Sequence, residues 1–171
     1  VHDKYIDVFK EYLELYHYHD IIMMTADTGD VFFSVSKDSD FGQRVSNVES
    51  SLRDVWERAA KQGMISISDT KPYKFANNIP AQFVAAPIKQ GNEILGVIAL
   101  QISIDSINSI MLERSGLGES GETYLIGADS HMRSDSYKDP QSRSVVASFA
   151  DKNSGAVETI ATENLLNGMS G

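Results

Sequence analysis

Apolar residues at helical spacing occupy the start of the chain, and short apolar runs separated by turn residues follow them. The spacing predicts an amphipathic helix over about the first eighteen residues, because apolar side chains three or four positions apart share one helix face. This apolar stripe is made by Tyr5, Phe9, Tyr12, Leu13 and Tyr16. Two apolar runs then flank the turn sequence DTGD and predict a β-hairpin.

A second helix and three strands are predicted in the next part of the chain. The helix has an apolar stripe with Trp56 beside it, and Gly63 follows where a left-handed cap would end it. The stripe consists of Val48, Leu52, Val55 and Ala59. Strands are predicted at 64–68, 82–89 and 93–103, and the last is apolar on both faces, which is typical of a central strand.

The remaining pattern predicts a helix over 104–114, a strand at the sequence ETYLIG and a last helix over 155–166. Together these elements indicate an α+β fold of PAS-like plan. It would contain an antiparallel sheet of about five strands, a long N-terminal helix and flanking helices.

Composition excludes several classes of function. The chain has 171 residues with 15 basic and 24 acidic side chains, a net charge of −9 and no basic run, so a nucleic-acid partner is not expected. The absence of cysteine excludes thiol catalysis, disulfides and cysteine-bound metals. No apolar run reaches the length of a membrane-spanning helix. The way the sequence begins and ends suggests a piece of a longer protein.

The sequence GLGESG, residues 116–121, has the glycine spacing of a dinucleotide-binding loop. That loop requires a strand before it and a helix after it, whereas here a predicted helix precedes and a predicted strand follows. A glycine-rich connector is the better interpretation. Because no nucleophile with a base and no cofactor motif is present either, we predict a non-enzymatic protein without a cofactor.

Two polar clusters resemble sites but have simpler interpretations. His17, His19 and Asp20 have a spacing that metal ligands could use, yet no second cluster completes a site, so we predict no metal and a solvated helix end. Asp38 and Asp40 resemble paired carboxylates, but they follow a predicted strand in a polar loop, where acids are ordinary turn formers. We therefore assign them no acid–base role.

The second predicted helix leads into a polar segment that could hold a small charged solute. Arg53 and Arg58 could bind a carboxylate, Trp56 could exclude water, and Asp69 or Tyr73 could fix the rest of the ligand. The alternative is that Trp56 belongs to the core and both arginines are solvated, and sequence physics alone favours this alternative.

Four blocks of sequence resemble a known family. The segment from YHYHDIIMM to DFGQRV, then ISDTKPY…PAQFVAAPI, GVIALQISID and GETYLIG…MRSD, resembles the extracytoplasmic Cache (PDC) sensor domains of bacterial methyl-accepting chemotaxis proteins, over about residues 16–135. The same type of input domain occurs on histidine kinases and cyclases. The resemblance implies a PAS-like sheet behind a long N-terminal helix that continues from a transmembrane segment in the parent receptor.

The resemblance also implies a division of the chain. Residues 1–115 would form the N-terminal helix and one Cache module. Residues 116–171 would be a connector with the start of a second module, or would complete the same unit. Both alternatives remain open on the sequence.

Carried over from amino-acid-sensing relatives, the resemblance places Trp56, Asp69 and Tyr73 in the wall of a ligand pocket, with Arg53 or Arg58 holding a carboxylate. The acid that pairs with the ligand's ammonium group in those relatives is replaced here by Gln101. A neutral amide cannot supply that charge, so a carboxylate or another small polar solute is favoured over an ordinary α-amino acid.

The resulting functional prediction is a periplasmic ligand-sensing input domain of an inner-membrane chemoreceptor. It would bind a small solute, signal through its terminal helices and pair as a homodimer in the full receptor. The alternatives are an input domain of a histidine kinase or cyclase, and a non-sensing domain for dimerisation or partner docking.

Overall fold

The computed structural model describes residues 2–151 and 155–169. The chain divides into two compact units, Val1–Ser103 and Ile104–Gly171. The first unit contains two α-helices, α1 (His2–Tyr16) and α2 (Ser51–Gln62), together with all six strands of the described sheet. The strands are β1 (Tyr18–Thr25), β2 (Val31–Ser34), β3 (Ser66–Ile67), β4 (Lys71–Tyr73), β5 (Ile79–Gln90) and β6 (Glu93–Ile102).

The sheet is antiparallel and has the order β2-β1-β6-β5-β3, with β4 also paired to β5. The predicted α+β class, both hairpins and the central position of the last strand are confirmed. The sequence predicted five strands and treated residues 68–82 as a loop. That loop prediction is wrong for β4, a three-residue strand in which Tyr73 pairs with Ile79.

Helix α2 covers one face of the sheet. Its N-terminus is capped by Ser50, whose hydroxyl accepts a hydrogen bond from the backbone N–H of Arg53, and it ends at Gly63 with a left-handed φ of 66°. The apolar side of α2 packs on the even-numbered residues of β1 and the odd-numbered residues of β5 and β6. This main core contains Ile22, Met24, Leu52, Val55, Trp56, Ala59, Phe83, Val97 and Ala99.

Helix α1 covers the opposite face of the same strands. Ile6, Phe9 and Leu13 pack against a second cluster, in which the rings of Phe9 and Phe33 lie 5.2 Å apart. Successive side chains of a strand point to opposite faces, so Leu100 contacts the α1 cluster whereas its neighbour Gln101 faces the α2 side. Each strand of the sheet centre therefore links the two helices.

The second unit contains three short helices, α3 (Ile104–Met111), α4 (Val145–Ala150) and α5 (Ile160–Leu166), around a small core of its own. The predicted strand at ETYLIG is wrong, since this segment makes only an isolated bridge between Ile126 and Met132. The last helix begins at Ile160, after the threonine cap Thr159, and not at residue 155. Among the described residues, no helix has the length and apolar character needed to cross a membrane.

Candidate functional site

A row of buried side chains crosses three strands at one end of the main core. Asp20 of β1 and Phe83 of β5 both pair with Gln101 of β6, so the three residues lie side by side on the α2 face. Both polar members are buried, with Asp20 fully covered and Gln101 exposed by only 7%. This end of the core is therefore polar, unlike the apolar centre of the same face.

Tyr73 lies next to this row and is held there by β4. Its ring packs edge-on against Phe83 at 5.1 Å and against Phe75 at 5.6 Å. Its hydroxyl donates a hydrogen bond of 2.7 Å to Oδ2 of Asp40. Burial, followed by the charge of Asp40, raises the pKa of the Tyr73 hydroxyl, which therefore acts as a hydrogen-bond donor.

Asp20 is a buried carboxylate with a full set of donors. Its Oδ1 accepts hydrogen bonds from the backbone N–H groups of Ile21, Val35 and Ser36, at 2.7, 2.9 and 2.9 Å. Its Oδ2 accepts from the hydroxyl of Ser34 at 2.8 Å. The carboxylate thus holds the chain where it leaves β2, which is a structural role.

Asp40 is also buried but, unlike Asp20, it lacks a full set of hydrogen-bond donors among the described residues. Only 1% of the residue is exposed, and its Oδ1 has no hydrogen-bond partner within the described part of the chain. Burial raises the pKa of the Asp40 carboxyl; the hydrogen bond from Tyr73 opposes this, and the charges of Asp20 and Asp38 raise it further. Asp38 and Asp40 accept turn hydrogen bonds through their carbonyls, as their interpretation as turn formers predicts, but the carboxyl group of Asp40 is buried.

The raised pKa predicts that Asp40 makes stability depend on pH. Above about pH 4 the unfolded chain has lost this proton, whereas the folded chain retains it, so the free energy of unfolding falls as pH rises through the folded pKa. The Asp40→Asn variant has no carboxyl group at this position, so its free energy of unfolding does not fall for this reason. We expect its stability relative to the native chain to increase from about pH 4 upward, until pH exceeds the folded pKa of Asp40, in urea denaturation. A difference that is constant with pH would contradict the raised pKa.

The structure does not bring Trp56 to this end of the sheet. Its indole Nε1 donates a hydrogen bond of 2.9 Å to the carbonyl of Thr25, and only 2% of the residue is exposed. Thr25 pairs with Gly96, five residues before Gln101 on the same strand, which is a distance of about 17 Å along β6. Trp56 is a core residue here, as the alternative interpretation of the sequence held.

The two arginines are carried by α2, and Asp69 lies between β3 and β4. Arg53 is 3.5 Å from Glu57 of its own helix, and Arg58 donates to the carbonyl of Ile67 at 3.3 Å. Asp69 is exposed and accepts a hydrogen bond from the N–H of Thr70. Of the six predicted site residues, Tyr73 and Gln101 share the polar end of the core through Phe83.

An apolar cavity of about 250 Å³ opens on the other face of the sheet, between α1 and the strands. Its walls include Val8, Phe9 and Tyr12 of α1 and Ile98 and Leu100 of β6. It has no charged lining residue. The polar chemistry of the first unit thus lies on the α2 face, away from this cavity.

Metal-binding chemistry has no support in the described residues. No group of three or more histidine, aspartate or glutamate side chains is placed to hold an ion in 2–151 and 155–169. The predicted cluster at the end of α1 is spread out, since His19 faces Asp38 at 3.7 Å while Asp20 points into the core.

No protein-family model matches the chain, and no curated protein matches it significantly in sequence. Solved structures do match. The sensory domain of the Campylobacter jejuni chemoreceptor Tlp3 (CcmL) is 11% identical with a TM-score of 0.57, covering 98% of this chain and 63% of that one. The ligand-binding domain of the Pseudomonas fluorescens chemoreceptor CtaA is 16% identical with a TM-score of 0.51, covering 81% and 59%.

An extracellular ligand-binding receptor from Desulfohalobium retbaense is 13% identical with a TM-score of 0.53, covering 76% of this chain and 23% of that one. The chain spans less than two thirds of the length of each of these three structures. At such identities the similarity shows the fold. The predicted PAS-like Cache fold is confirmed.

Proposed function

We propose that the chain is an extracytoplasmic input domain of a membrane-anchored chemoreceptor, and that it binds a small polar solute at the polar end of the α2 face. The observation that carries this proposal is that the buried row of Asp20, Gln101 and Phe83 brings two polar side chains to one end of the core, with Tyr73 beside it. The fold supports this proposal, because similar domains were solved in complex with small amino acids: the CtaA domain with L-valine and the Tlp3 domain with 4-methylisoleucine.

Of the predicted site residues, we propose Tyr73 and Gln101 as direct ligand contacts. Arg53, Arg58 and Asp69 remain candidates for the outer rim of the site, where a carboxylate could approach from solvent. For Trp56 we propose a packing role, since its ring and its Nε1 are both used within the core.

Signalling follows from the two-faced sheet. A ligand that contacts Gln101 acts one residue away from Leu100, which belongs to the cluster packed on α1. The ligand can shift α1 between two arrangements only by as much as its affinity differs between them. A ligand-dependent shift of β6 would thus change how the sheet packs on α1.

Thermal melting tests ligand binding directly. A panel of amino acids, amines and small carboxylates is added to the native chain, and a true ligand at a hundred times its dissociation constant should stabilise it by about 2.7 kcal/mol. Gln101→Leu, a replacement of similar size in a buried position, is expected to abolish the shift. Gln90→Leu is the control, because Gln90 lies exposed at the turn after β5.

Two alternatives differ from this proposal in the outcome of the same experiments. If no solute shifts the melting temperature, a non-sensing domain for dimerisation or partner docking is favoured. If a ligand is found, its effect on autophosphorylation or cyclase activity in the parent protein would favour an input domain of a histidine kinase or cyclase.

For the second unit we propose the start of a second module. It has its own core around Met132, Val145 and Val157, which favours this over completion of the first sheet. The sequence predicted a boundary after residue 115, whereas the compact units divide after Ser103.

The exposed side of α1 supports a homodimer. Four large apolar residues are spaced by three, four and three positions, as in the seam of a coiled coil, and their exposure is 46, 65, 43 and 68%. They are Tyr5, Val8, Tyr12 and Leu15. Val8 and Tyr12 also line the mouth of the apolar cavity, but they remain largely exposed, so the surface they form with Tyr5 and Leu15 is available to another copy in a parallel pair.

Sedimentation of the chain tests the dimer. We expect concentration-dependent pairing that is weakened about tenfold or more by Leu15→Lys, since a charge in a helix seam must be desolvated. Lys10→Gln is the control, because Lys10 lies outside both apolar faces of α1. A native chain that stays monomeric at high concentration would contradict the proposed pair.

A further inference from the structure

The charge around Asp40 indicates what kind of solute the site takes, given that it is a ligand site as proposed above. Asp40 is buried beside Tyr73, and the carboxylates of Asp20 and Asp38 are close enough to act on it electrostatically. Asp20 uses its oxygens on four donors of the chain itself. The oxygen that lacks a partner among the described residues is Oδ1 of Asp40.

No basic side chain neutralises this carboxylate in the described ranges 2–151 and 155–169. The two lysines in the flanking loops, Lys37 and Lys74, are exposed and form no ion pair with Asp20 or Asp40 there. Nε2 of His19 lies 3.7 Å from Oδ2 of Asp38, on the exposed side of the loop. A buried carboxylate is ordinarily paired or coordinated, and a bound cation would supply that pairing and hold the carboxyl of Asp40 ionised.

The neighbouring groups suit an organic cation. The hydroxyl of Tyr73 contacts Asp40, and the ring of Tyr73 packs on an aromatic wall made with Phe75 and Phe83, whose centroids lie 5.6 and 5.1 Å from its own. Aromatic rings favour cations over anions because their faces carry negative charge. Gln101, on the same face as Phe83, offers an amide oxygen that can accept a hydrogen bond from an ammonium group.

We propose that the ligand is a small protonated amine, bound through its ammonium group by the carboxylate of Asp40 beside the wall of Tyr73. The acid thus comes from the loop after β2, and the neutral Gln101 of β6 need not supply the charge. Because Arg53 is paired with Glu57 and Arg58 bonds the backbone of Ile67, no described arginine faces Asp40, and a carboxylate on the ligand is not required.

Two loops cover this carboxylate. The hydroxyl of Ser39 donates to the carbonyl of Phe75 at 2.6 Å, and the hydroxyl of Tyr73 donates to Asp40 at 2.7 Å. These hydrogen bonds join the loop after β2 to the segment after β4. Entry of an amine therefore requires the two loops to separate, and its ammonium would then bind the oxygen Oδ1 that the chain leaves without a donor.

Titration calorimetry with matched solutes tests the proposal. The probes are primary amines from methylamine to butylamine, the alcohols and carboxylates of the same length, alanine and calcium chloride. We expect an amine to bind and its alcohol and carboxylate not to bind. Asp40→Asn should weaken amine binding at least about 100-fold, since the ligand's charge then lacks its partner.

Asp27→Asn is the matched control, because it removes the same charge at the exposed β1–β2 turn and should change the affinity less than about threefold. Circular dichroism of both variants verifies the fold. Amine binding that survives Asp40→Asn, or binding of calcium in place of amines, would overturn the inference. A carboxylate or alanine that binds through Gln101 would overturn it while leaving the sensing function intact, and binding by no solute would overturn both.

Discussion

Replacing Trp56 with alanine is expected to lower the free energy of unfolding by about 3–5 kcal/mol, the range observed when a large buried aromatic side chain is removed. The ring is 2% exposed in the main core, and Gly29 lies so close to it that a Cβ there would be 3.0 Å from a ring atom. Urea denaturation measures this loss. The space left by the missing ring is not expected to close, because the end of β1 and the β1–β2 turn beside it are held by their own hydrogen bonds.

Trp56→Phe is the matched control. It keeps an aromatic ring in the core but removes one of the two donors to the carbonyl of Thr25, which retains the N–H of Gly29, so we expect a smaller loss of about 1–2 kcal/mol. Ligand binding by Trp56→Phe should match that of the native chain. The opposite result would be a Trp56→Ala protein that is nearly as stable as the native chain but binds no ligand. That result would mean that Trp56 lines the ligand site.

The strongest periodic segments were predictable from the sequence because their burial is local in origin. In α2 the apolar spacing decides which side faces the sheet, and Ser50 and Gly63 mark the ends of the helix by local backbone chemistry. In α1 only Phe9 and Leu13 of the predicted stripe face the sheet. The other three residues of that stripe, Tyr5, Tyr12 and Tyr16, are 46, 43 and 54% exposed. The alternation along β6 likewise decides that Gln101 faces inward, beside Val97 and Ala99.

The segments that sequence reasoning missed depend on distant partners. β4 contains Pro72 and only three residues, so its strand character arises only from pairing with β5. ETYLIG has the composition of a strand, but in the described part of the second unit its only β-pairing is the isolated bridge between Ile126 and Met132. Composition predicts the capacity to form a strand, and the partner decides whether it forms.

Asp40 shows the same limit within the candidate site. Its neighbours in SKDSDFG are typical of a solvated turn, and its carbonyl does accept a turn hydrogen bond from Gln43. Its burial comes from Tyr73, which is 33 residues away along the chain. No local pattern indicates that contact, whereas Tyr73 itself was predicted as a site residue through the family resemblance.

The two buried acids of the first unit should respond in opposite ways to mutation, because one is satisfied by the chain and the other is not. Removing the carboxylate of Asp20 takes away four hydrogen bonds, from the N–H groups of Ile21, Val35 and Ser36 and from the hydroxyl of Ser34. Of these donors, the N–H of Val35 retains the carbonyl of Ile21 as an acceptor. Each unsatisfied buried donor costs about 1–3 kcal/mol. Asp40 has one such partner, Tyr73, and its own Oδ1 is already unsatisfied in the described structure.

We therefore expect Asp20→Ala to lower the free energy of unfolding by about 3–5 kcal/mol in urea denaturation at neutral pH. Asp20→Asn, which keeps one acceptor oxygen in place, should lose only about 1–2 kcal/mol. Asp40→Asn should be neutral or stabilising under the same conditions, because it removes a buried charge that burial disfavours. If Asp20→Ala cost less than Asp40→Asn, the roles would be exchanged: Asp40 would support the fold, and Asp20 would be the acid available to a ligand.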